Sequence, residues 1–480
     1  MNKQLVIIGA GVGGLSAAIH ARLAGYDVVV LEQGQTAGGK AAGIKIDGYN
    51  LDPGPSIIIL PAFYEAVFQA AGRKMADYLQ FDRLDIVSRV FLGKDAPIDL
   101  PADKTKALAI LEEINPSDAK SLRKILDQMA KVEPLLHKSI YDHPYLKQSQ
   151  LLDLNLLRFG MGFNPMKTFK EHVDHLFQSD IMRAFFYGFP SYAGQTYNAK
   201  SPGSFLIPFY MLQEGVFFPV GGVRAIPLAF ERLARELGVE FRFGEKVSSV
   251  EGSDGRMNAV VLAKGERIEA DAFISNLDRF TFSSLRGKPL DFEPSYSYFT
   301  VHWGVRREFP NLQHHNLFIP TDYLSGFKEL YETTQFPTEP IVYVNSTSVA
   351  DPLAAPAGCS NLFAIVTAPA VTGKFEWGAV ADEYVNRTRA VMRNGGLDWD
   401  DSEVDFTRIQ TPEYFESAHG NYRGSLYGLH ESHRLFGMFP EGNEDAEWSN
   451  LKFCGGSVQP GAGLPMVTLS GKFAVDKLTK

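Results

Sequence analysis

A glycine-rich turn near the N-terminus constrains the fold of this chain more than any other feature. Residues 9–14 read Gly-Ala-Gly-Val-Gly-Gly, a G-x-G-x-x-G pattern that directly follows the apolar run at residues 5–8. A helical pattern over residues 15–23 and a second apolar run over residues 26–31 come next. A strand, a turn, a helix and a strand in this order predict a βαβ unit that begins a parallel sheet.

The spacing inside the turn predicts a site for a dinucleotide. Gly9 permits the tight turn, Gly11 lets the backbone approach a pyrophosphate, and Gly14 lets helix and strand pack closely. The first helical amides, around Val12 and Gly13, then face the phosphates. Glu32 lies 23 residues after Gly9, at the end of the second strand, where an acidic side chain holds ribose hydroxyls.

Composition excludes several other classes. The net charge of -9 argues against a nucleic-acid partner. The two cysteines, Cys359 and Cys454, form neither a disulfide framework nor a CxxC metal site, which indicates a reducing compartment, the cytoplasm. Cys454 is interpreted as a small buried packing residue. No run of about 18 apolar residues predicts a transmembrane helix.

The segments after Glu32 indicate which dinucleotide binds. Residues 38–40 read Gly-Gly-Lys and residues 52–56 read Asp-Pro-Gly-Pro-Ser. This order of segments resembles the flavin amine-oxidase and carotenoid-desaturase superfamily, in which an acidic residue is followed by Gly-Gly and a basic residue and then by D-x-G-P-S/T. The resemblance implies FAD, with Lys40 near the phosphates and Ser56 near the flavin. A second G-x-G-x-x-G is absent from the sequence, so an external electron acceptor such as a quinone or oxygen is expected.

Two later segments extend the resemblance. Residues 244–251 resemble the middle cofactor strand of the superfamily, although an ordinary strand is the alternative. Residues 453–472 resemble the H-P-G-x-G-x-P ending of the bacterial phytoene desaturase-type family, with Gln459 where that family usually has histidine. The Gly-Gly-Ser and Pro-Met-x-Thr-Leu-Ser-Gly pieces look closer to the hydroxycarotenoid 3,4-desaturase branch, whereas residues 343–359 also resemble phytoene desaturases.

The resemblance implies a fold and a set of cofactor-binding residues. The expected fold class is α/β, with an FAD-binding Rossmann-like domain interleaved with a mixed α+β substrate domain. The first domain is predicted at residues 1–75, 215–288 and 411–480, and the substrate-binding and membrane-associating domain at residues 76–214 and 289–410. The residues expected to bind FAD are Gly9, Gly11, Val12, Gly13, Gly14, Glu32, Gln33, Gly39, Lys40, Pro55, Ser56, Val247, Asn276, Gly455, Gly456, Pro465, Met466 and Val467.

The implied reaction removes two hydrogens from a C–C bond next to a polyene, one as a hydride to flavin and one as a proton. The candidate catalytic pair is Asp180 and Arg183, neighbours at i,i+3 on a helix, because the family has a comparable pair near its flavin; an exposed ion pair is the alternative. His172 and His175 share the same spacing, but two histidines without a third ligand indicate a polar helix face, so no metal is expected. The role of His314 and His315 stays open.

Two apolar stretches suit a long apolar carotenoid. Residues 151–163 and 205–218 predict an interfacial surface and a tunnel mouth, with ordinary core as the alternative. Together with the missing transmembrane run, they predict peripheral association with the inner face of the cytoplasmic membrane.

The sequence thus favours an FAD-dependent carotenoid desaturase, more narrowly a 1-hydroxycarotenoid 3,4-desaturase. A phytoene desaturase is the alternative. A flavin amine oxidase and a prenyl-lipid carrier without flavin are further alternatives.

Overall fold

The structure is a computed structural model that describes residues 2–142, 164, 166–433 and 440–479. Its first layer is a five-stranded sheet in which each neighbouring pair runs parallel. In sheet order the strands are Leu451–Phe453, Ala272–Ser275, Gln4–Ile8, Asp27–Glu32 and Glu240–Phe243. The parallel sheet confirms the α/β class, and its central strands are buried on both faces, as their continuous apolar sequence predicts.

Three helices pack beside the parallel sheet. They are the N-terminal helix Val12–Leu23, the helix Ala225–Glu236 and the C-terminal helix Leu464–Leu478. The N- and C-terminal helices lie so close that a Cβ on Gly471 would stand 2.4 Å from the carbonyl oxygen of Gly13. The Ser16 hydroxyl donates to the Thr468 carbonyl across the same contact at 2.6 Å. The two ends of the sequence therefore form one structural unit.

A small antiparallel sheet lies beside the parallel one. It contains the strands Val247–Ser253, Arg256–Leu262 and Arg267–Glu269. The apolar pattern over residues 267–274 predicts one continuous strand, and this prediction is wrong. The chain leaves the small sheet after Glu269 and enters the parallel sheet at Ala272, because the Asp271 carboxylate accepts a hydrogen bond from the Gln4 amide at 2.7 Å.

The second layer, here called the large sheet, has seven strands. In sheet order these are Val404–Gln410, Ser297–Val305, Ser360–Ala368, Val342–Ser346, His315–Ile319, Ile86–Leu92 and Ile98–Pro101. Successive side chains on a strand point to opposite faces. One face, with Phe299, Val301, Val344 and Val366, packs against the helix Trp377–Asn394 and forms a buried core. The other face is turned toward a cavity described below.

Helices contribute to other sides of that cavity, among them Asp180–Tyr187, Leu206–Gln213 and Tyr323–Tyr331. Beyond those already named, the α-helices are Ala62–Ala70, Lys104–Ile114, Pro116–Leu136, Phe169–Leu176, Arg279–Leu285, Thr347–Ala350 and Pro412–His419. The sequence over residues 167–186 predicts a mostly helical segment, and the structure has two helices there, Phe169–Leu176 and Asp180–Tyr187. The Asp118 carboxylate accepts hydrogen bonds from the amides of Gln178 and Ser179, and these bonds draw the backbone out of the helix there.

The strands of the two large sheets come from different parts of the chain. The parallel sheet uses residues 1–75, 215–288 and 411–480, whereas the large sheet uses residues 76–214 and 289–410. One two-stranded ladder, Phe81–Arg83 with Phe217–Pro219, joins the two groups of segments. The division into two domains stays a prediction.

The predicted interfacial stretches have different outcomes. Residues 151–163 lie outside the described residues. In the stretch 205–218, Phe205, Phe209, Met211 and Leu212 are buried, as the ordinary-core alternative has it, and association with a membrane stays a prediction. Among the residues that the structure describes, we find no helix whose length and hydropathy would suit a membrane span.

Candidate active site

The glycine turn has the geometry that its sequence predicts. Gly9 has φ +96°, a left-handed conformation that glycine adopts without strain, and a Cβ on Gly14 would stand 2.1 Å from the Gly9 carbonyl oxygen. Gly11 is the N-cap of the N-terminal helix and has no side chain to bond to the first helical amides. These amides are therefore available to a phosphate.

Asn276 and Glu32 border the turn. A Cβ on Gly11 would stand 2.5 Å from the Asn276 side-chain nitrogen, so the amide of Asn276 lies directly over the turn. The Glu32 carboxylate accepts hydrogen bonds from the amides of Ala10 and Gly34, each at 2.7 Å. These two bonds fix the carboxylate at the end of its strand, beside the turn.

The Gly-Gly-Lys and Asp-Pro-Gly-Pro-Ser segments adjoin the turn. Gly54 packs on Lys40 so closely that a Cβ there would stand 1.9 Å from the Lys40 carbonyl oxygen. The Lys40 ammonium donates to the Asn421 side-chain oxygen at 3.1 Å, and burial lowers the pKa of Lys40. The Asp52 carboxylate accepts from the Val223 amide at 2.9 Å and thereby ties this segment to the start of another helix.

The glycine-rich C-terminal loop completes this arrangement. The Gly455 amide donates to the Ser470 hydroxyl at 3.1 Å, and the C-terminal helix begins after Gly463, again without a side-chain cap. A Cβ on Gly13 would stand 3.2 Å from both the Gly455 amide nitrogen and a methyl group of Val467. We call residues 9–14, 38–40, 52–56 and 455–467 together the cofactor cradle.

One cavity of about 1400 Å³ adjoins the cofactor cradle. Its lining includes every residue that the sequence predicts as cofactor-binding except Gly13 and Gly14, which pack behind the turn. At Gly11, Gly14 and Gly54 the cradle packs too closely for a side chain, and two uncapped helix starts border the cavity. These residues fit a dinucleotide cofactor that lies along the cavity.

The cavity continues beyond the cofactor cradle along the large sheet. The side chains that line this part are mostly aliphatic or aromatic: Ile57, Ile59, Leu60, Val87, Leu136, Ile140, Tyr141, Ala184, Phe185, Phe189, Leu206, Ile207, Tyr210, Met211, Tyr298, Leu317, Phe327, Tyr331, Ile341, Tyr343, Phe363, Ile365 and Thr367. We call these residues the apolar wall; polar side chains, Lys200 and Glu431 among them, also line the cavity. The stretch 205–218 contributes to it through the helix Leu206–Gln213. Such a lining suits a long apolar ligand.

A hydrogen-bonded pair of side chains lies where the apolar wall meets the cofactor cradle. His315 Nδ1 lies 2.6 Å from the Tyr343 hydroxyl, which in turn has the side chains of Ser56 and Asn345 as hydrogen-bond partners. Burial lowers the pKa of His315 well below its usual value, and His314 next to it lowers the pKa further. The sequence left the role of His315 open and gave no signal for Tyr343, because this contact joins two neighbouring strands.

The predicted catalytic pair lies elsewhere. The helix Asp180–Tyr187 contributes Ala184 and Phe185 to the cavity lining, whereas Asp180 and Arg183 are absent from the lining that the described residues form. The Asp180 and Arg183 side chains are 67% and 33% exposed, and their closest charged atoms are 3.8 Å apart. This geometry is that of the alternative, an exposed ion pair on a helix.

The other candidate residues from the sequence, two histidines, Cys454 and Gln459, lie in ordinary structural surroundings. His172 and His175 lie on the helix Phe169–Leu176, and the described part of the chain holds no group of three or more side chains suited to a metal. Cys454 is buried, and burial raises the pKa of its thiol. Gln459 bonds to the backbone through its side-chain amide, which donates to the Pro440 carbonyl at 3.4 Å.

Comparisons with known proteins agree with this site. Residues 12–478 match the family of flavin containing amine oxidoreductases. The chain belongs to this family.

Its relatives include the zeta-carotene-forming phytoene desaturase of Myxococcus xanthus, which is 31% identical over 99% of this chain and 94% of that protein. They also include the 4,4'-diapolycopene oxygenase of Methylomonas sp, 30% identical over 99% of this chain and 98% of that protein. Within the flavin family, the chain therefore belongs to the bacterial carotenoid desaturase-type proteins.

An oxidoreductase from Methanosarcina mazei has the same fold, with a TM-score of 0.67 and 16% identity over 98% of this chain and 100% of that one. The predicted cofactor and enzyme class are confirmed: the protein is an FAD-dependent oxidoreductase.

Proposed function

We propose that this protein is a carotenoid desaturase that introduces a C–C double bond into an acyclic carotenoid. The observation that supports this most directly is the continuity of one cavity from the cofactor cradle along the apolar wall. Beyond the cofactor cradle, aliphatic and aromatic side chains form most of the cavity lining, although Lys200 and Glu431 also line it. A long hydrocarbon fits such a surface.

In the proposed reaction, FAD supplies the chemistry of hydride acceptance. The protein contributes binding and orientation. The apolar wall would hold the polyene beside the cradle and exclude water, which would orient an allylic C–H bond toward the bound cofactor. An allylic position is favoured because the positive charge that develops there is delocalised along the polyene.

We propose that the cradle residues bind FAD in the roles that the resemblance implies. The amides after Gly11 and at the start of the C-terminal helix face the phosphates, Glu32 binds ribose, and Ser56 lies near the flavin ring. Their support is the shared cavity lining and the glycine positions that leave no room for a side chain.

The narrower proposal is 3,4-desaturation of a 1-hydroxycarotenoid. It is supported by residues 455–471, which resemble that branch. Phytoene is the second candidate substrate, favoured by the name of the Myxococcus relative. We further propose that the protein collects its substrate peripherally at the inner face of the cytoplasmic membrane and passes electrons to a quinone or oxygen.

The test is product analysis with purified, FAD-loaded protein in liposomes. Phytoene, a 1-hydroxylated acyclic carotenoid and an amine are offered separately, and products are followed by absorption spectrum and chromatography. A longer chromophore from the hydroxylated carotenoid supports the narrow proposal, and conversion of phytoene alone overturns it. Peroxide formed only from the amine would overturn the carotenoid assignment altogether.

A further inference from the structure

Asn421 is the one hydrogen-bond partner that the described residues give to the Lys40 ammonium. Its side-chain oxygen accepts from Lys40 Nζ at 3.1 Å, and its side-chain nitrogen donates to the Ser425 carbonyl at 2.7 Å. The second bond fixes which end of the amide faces Lys40. Asn421 is 5% exposed and absent from the cavity lining that the described residues form, so it is placed to act on Lys40 rather than on a ligand.

The local fold holds both ends of the Lys40 side chain. The helix Pro412–His419 ends at Gly420, whose φ of +63° is a left-handed conformation that suits glycine. Asn421 follows directly, and its backbone amide donates to the Phe415 carbonyl at 3.3 Å. On the opposite side, Gly54 packs against the Lys40 backbone. The cradle therefore holds the backbone of Lys40, and Asn421 holds its ammonium.

The positive charge of Lys40 has no carboxylate in contact with it. Lys40 is partly exposed and lines the cavity, and within the described part of the chain it forms no ion pair. Asp278 acts on Lys40 through space, while its carboxylate accepts from the Phe280 amide at 2.9 Å. Burial lowers the pKa of His419, beside Lys40, to about 4 and keeps that ring neutral. An uncompensated cation in this position indicates an anionic ligand.

We propose that Asn421 is a positioning residue for FAD binding, which holds the Lys40 ammonium at the cofactor cradle and, being neutral, leaves its positive charge to the phosphates. The inference rests on the proposed binding of FAD by the cradle. Other lysines of the chain pair with carboxylates, as Lys472 does with Asp476 at 2.6 Å. A carboxylate in place of the Asn421 amide would also orient the ammonium, but it would cancel the charge that attracts an anion.

A double-mutant cycle tests whether Asn421 acts through Lys40. Titration of the full-length apoprotein with FAD, followed by flavin fluorescence, gives the Kd of the wild type, Lys40→Met, Asn421→Leu and the double variant. We expect Lys40→Met to weaken binding by about 10²-fold and Asn421→Leu by about tenfold. In the Lys40→Met background, Asn421→Leu should have no further effect, because its partner is already absent. A purely structural role would weaken FAD binding equally in both backgrounds.

Asn421→Asp separates charge from shape. Aspartate keeps the size of asparagine and an acceptor for Lys40, yet it should weaken FAD binding by about tenfold because it neutralises the ammonium. Added salt should raise the Kd of the wild type more than that of Asn421→Asp or Lys40→Met, because salt screens the attraction that these variants have lost.

The matched control is Asn361→Asp. Asn361 is 4% exposed and also donates to backbone carbonyls, those of Asn50 and Ala354, but it is absent from the described cavity lining. The aspartate there loses the same kind of donor as in Asn421→Asp without approaching the cradle. Its Kd for FAD should equal that of the wild type.

A wild-type Kd in both Asn421 single variants would overturn the proposal. An undiminished effect of Asn421→Leu in the Lys40→Met background would overturn it as well. Failure of the proposed cradle gives a different result, since Lys40→Met itself would then keep the wild-type Kd, and both proposals would fall together. A protein that binds FAD but converts no carotenoid would contradict the proposed reaction alone, because the Kd values decide the role of Asn421 without any turnover.

Discussion

The cofactor cradle and the apolar wall border one cavity but are built on different principles. In the cradle, the backbone itself forms the surface, and glycines such as Gly11 and Gly54 are required because a side chain would occupy the space. On the apolar wall, side chains form the surface, and alternation along strands decides which of them face the cavity. The shape of the cradle therefore requires glycine at fixed positions, whereas the surface of the wall requires only that its side chains be apolar.

The largest expected effect comes from filling the cradle. Gly11→Val should abolish FAD binding, because even a Cβ at Gly11 would stand 2.5 Å from the Asn276 side-chain nitrogen, so a valine would push the turn and Asn276 apart beside the space expected for the pyrophosphate. The measurement is flavin absorbance per mole of purified protein. Carotenoid conversion should vanish together with the flavin.

Gly378→Val is the matched control for this variant. Gly378 lies in the helix Trp377–Asn394, and a Cβ there meets no atom within 4 Å. It should retain full flavin content. Normal flavin content in Gly11→Val would contradict the assignment of the turn.

This difference explains which parts of the molecule the sequence predicts. Glycines at fixed spacing carry a local backbone requirement, so the βαβ unit and the places of Glu32 and Ser56 in the cavity lining follow from short motifs. The contact between His315 and Tyr343 depends on the register of two strands, and no local pattern encodes it. The break between residues 176 and 180 likewise depends on Asp118, about 60 residues away in the sequence.

The second prediction changes the apolar wall and leaves the cradle intact. Ile365→Asp places a carboxylate on the cavity face of the strand Ser360–Ala368, among the aliphatic and aromatic side chains of the apolar wall. We expect normal flavin content but a loss of carotenoid conversion of at least about tenfold, since burying an unpaired polar group costs about 1–3 kcal/mol. Initial rates in liposomes measure the effect.

Thr367→Ser tests the same face with a conservative change. Thr367 lines the cavity two residues further along the strand, and serine keeps its hydroxyl. Its rate should stay close to that of the wild type. If Ile365→Asp were equally active, the substrate would not lie against this face.

The third prediction compares the two faces of the large sheet directly. Phe299 is buried on the core face, where its ring lies near Tyr384 and Trp377. Phe299→Ala should lower the free energy of unfolding by about 3–5 kcal/mol through the cavity it leaves. Denaturant unfolding followed by tryptophan fluorescence measures this loss.

Tyr298 provides the comparison, since it neighbours Phe299 but lines the cavity. Tyr298→Phe keeps the ring and removes a hydroxyl that contacts the Tyr427 hydroxyl at 2.9 Å and donates to the Ser191 carbonyl at 3.3 Å. Its effect on unfolding should be only about 1–2 kcal/mol, the usual worth of one or two hydrogen bonds. Equal losses in both variants would contradict the division of the sheet into a core face and a cavity face.

The smallest effect is expected at the pair that the sequence offered as catalytic. Asp180→Ala removes an exposed carboxylate from a helix whose cavity-facing residues are Ala184 and Phe185. It also removes a 3.3 Å hydrogen bond from the Tyr323 hydroxyl. An exposed pair of this kind contributes about 0–1 kcal/mol, so stability, flavin content and carotenoid turnover should all stay near their wild-type values.

Asp180→Asn is the matched variant, since it removes the charge but keeps the shape and an oxygen for Tyr323. A large loss of turnover in both variants, with full flavin content, would mean that the carboxylate acts on the substrate after all. The helix Asp180–Tyr187 would then have to rotate about its own axis to bring the Asp180 side chain to the apolar wall, since successive side chains lie about 100° apart around a helix. The same rotation would withdraw Phe185 from the cavity, so Phe185→Ala should in that case leave turnover unchanged. In the observed geometry Phe185 lines the cavity, and Phe185→Ala is therefore expected to alter carotenoid binding.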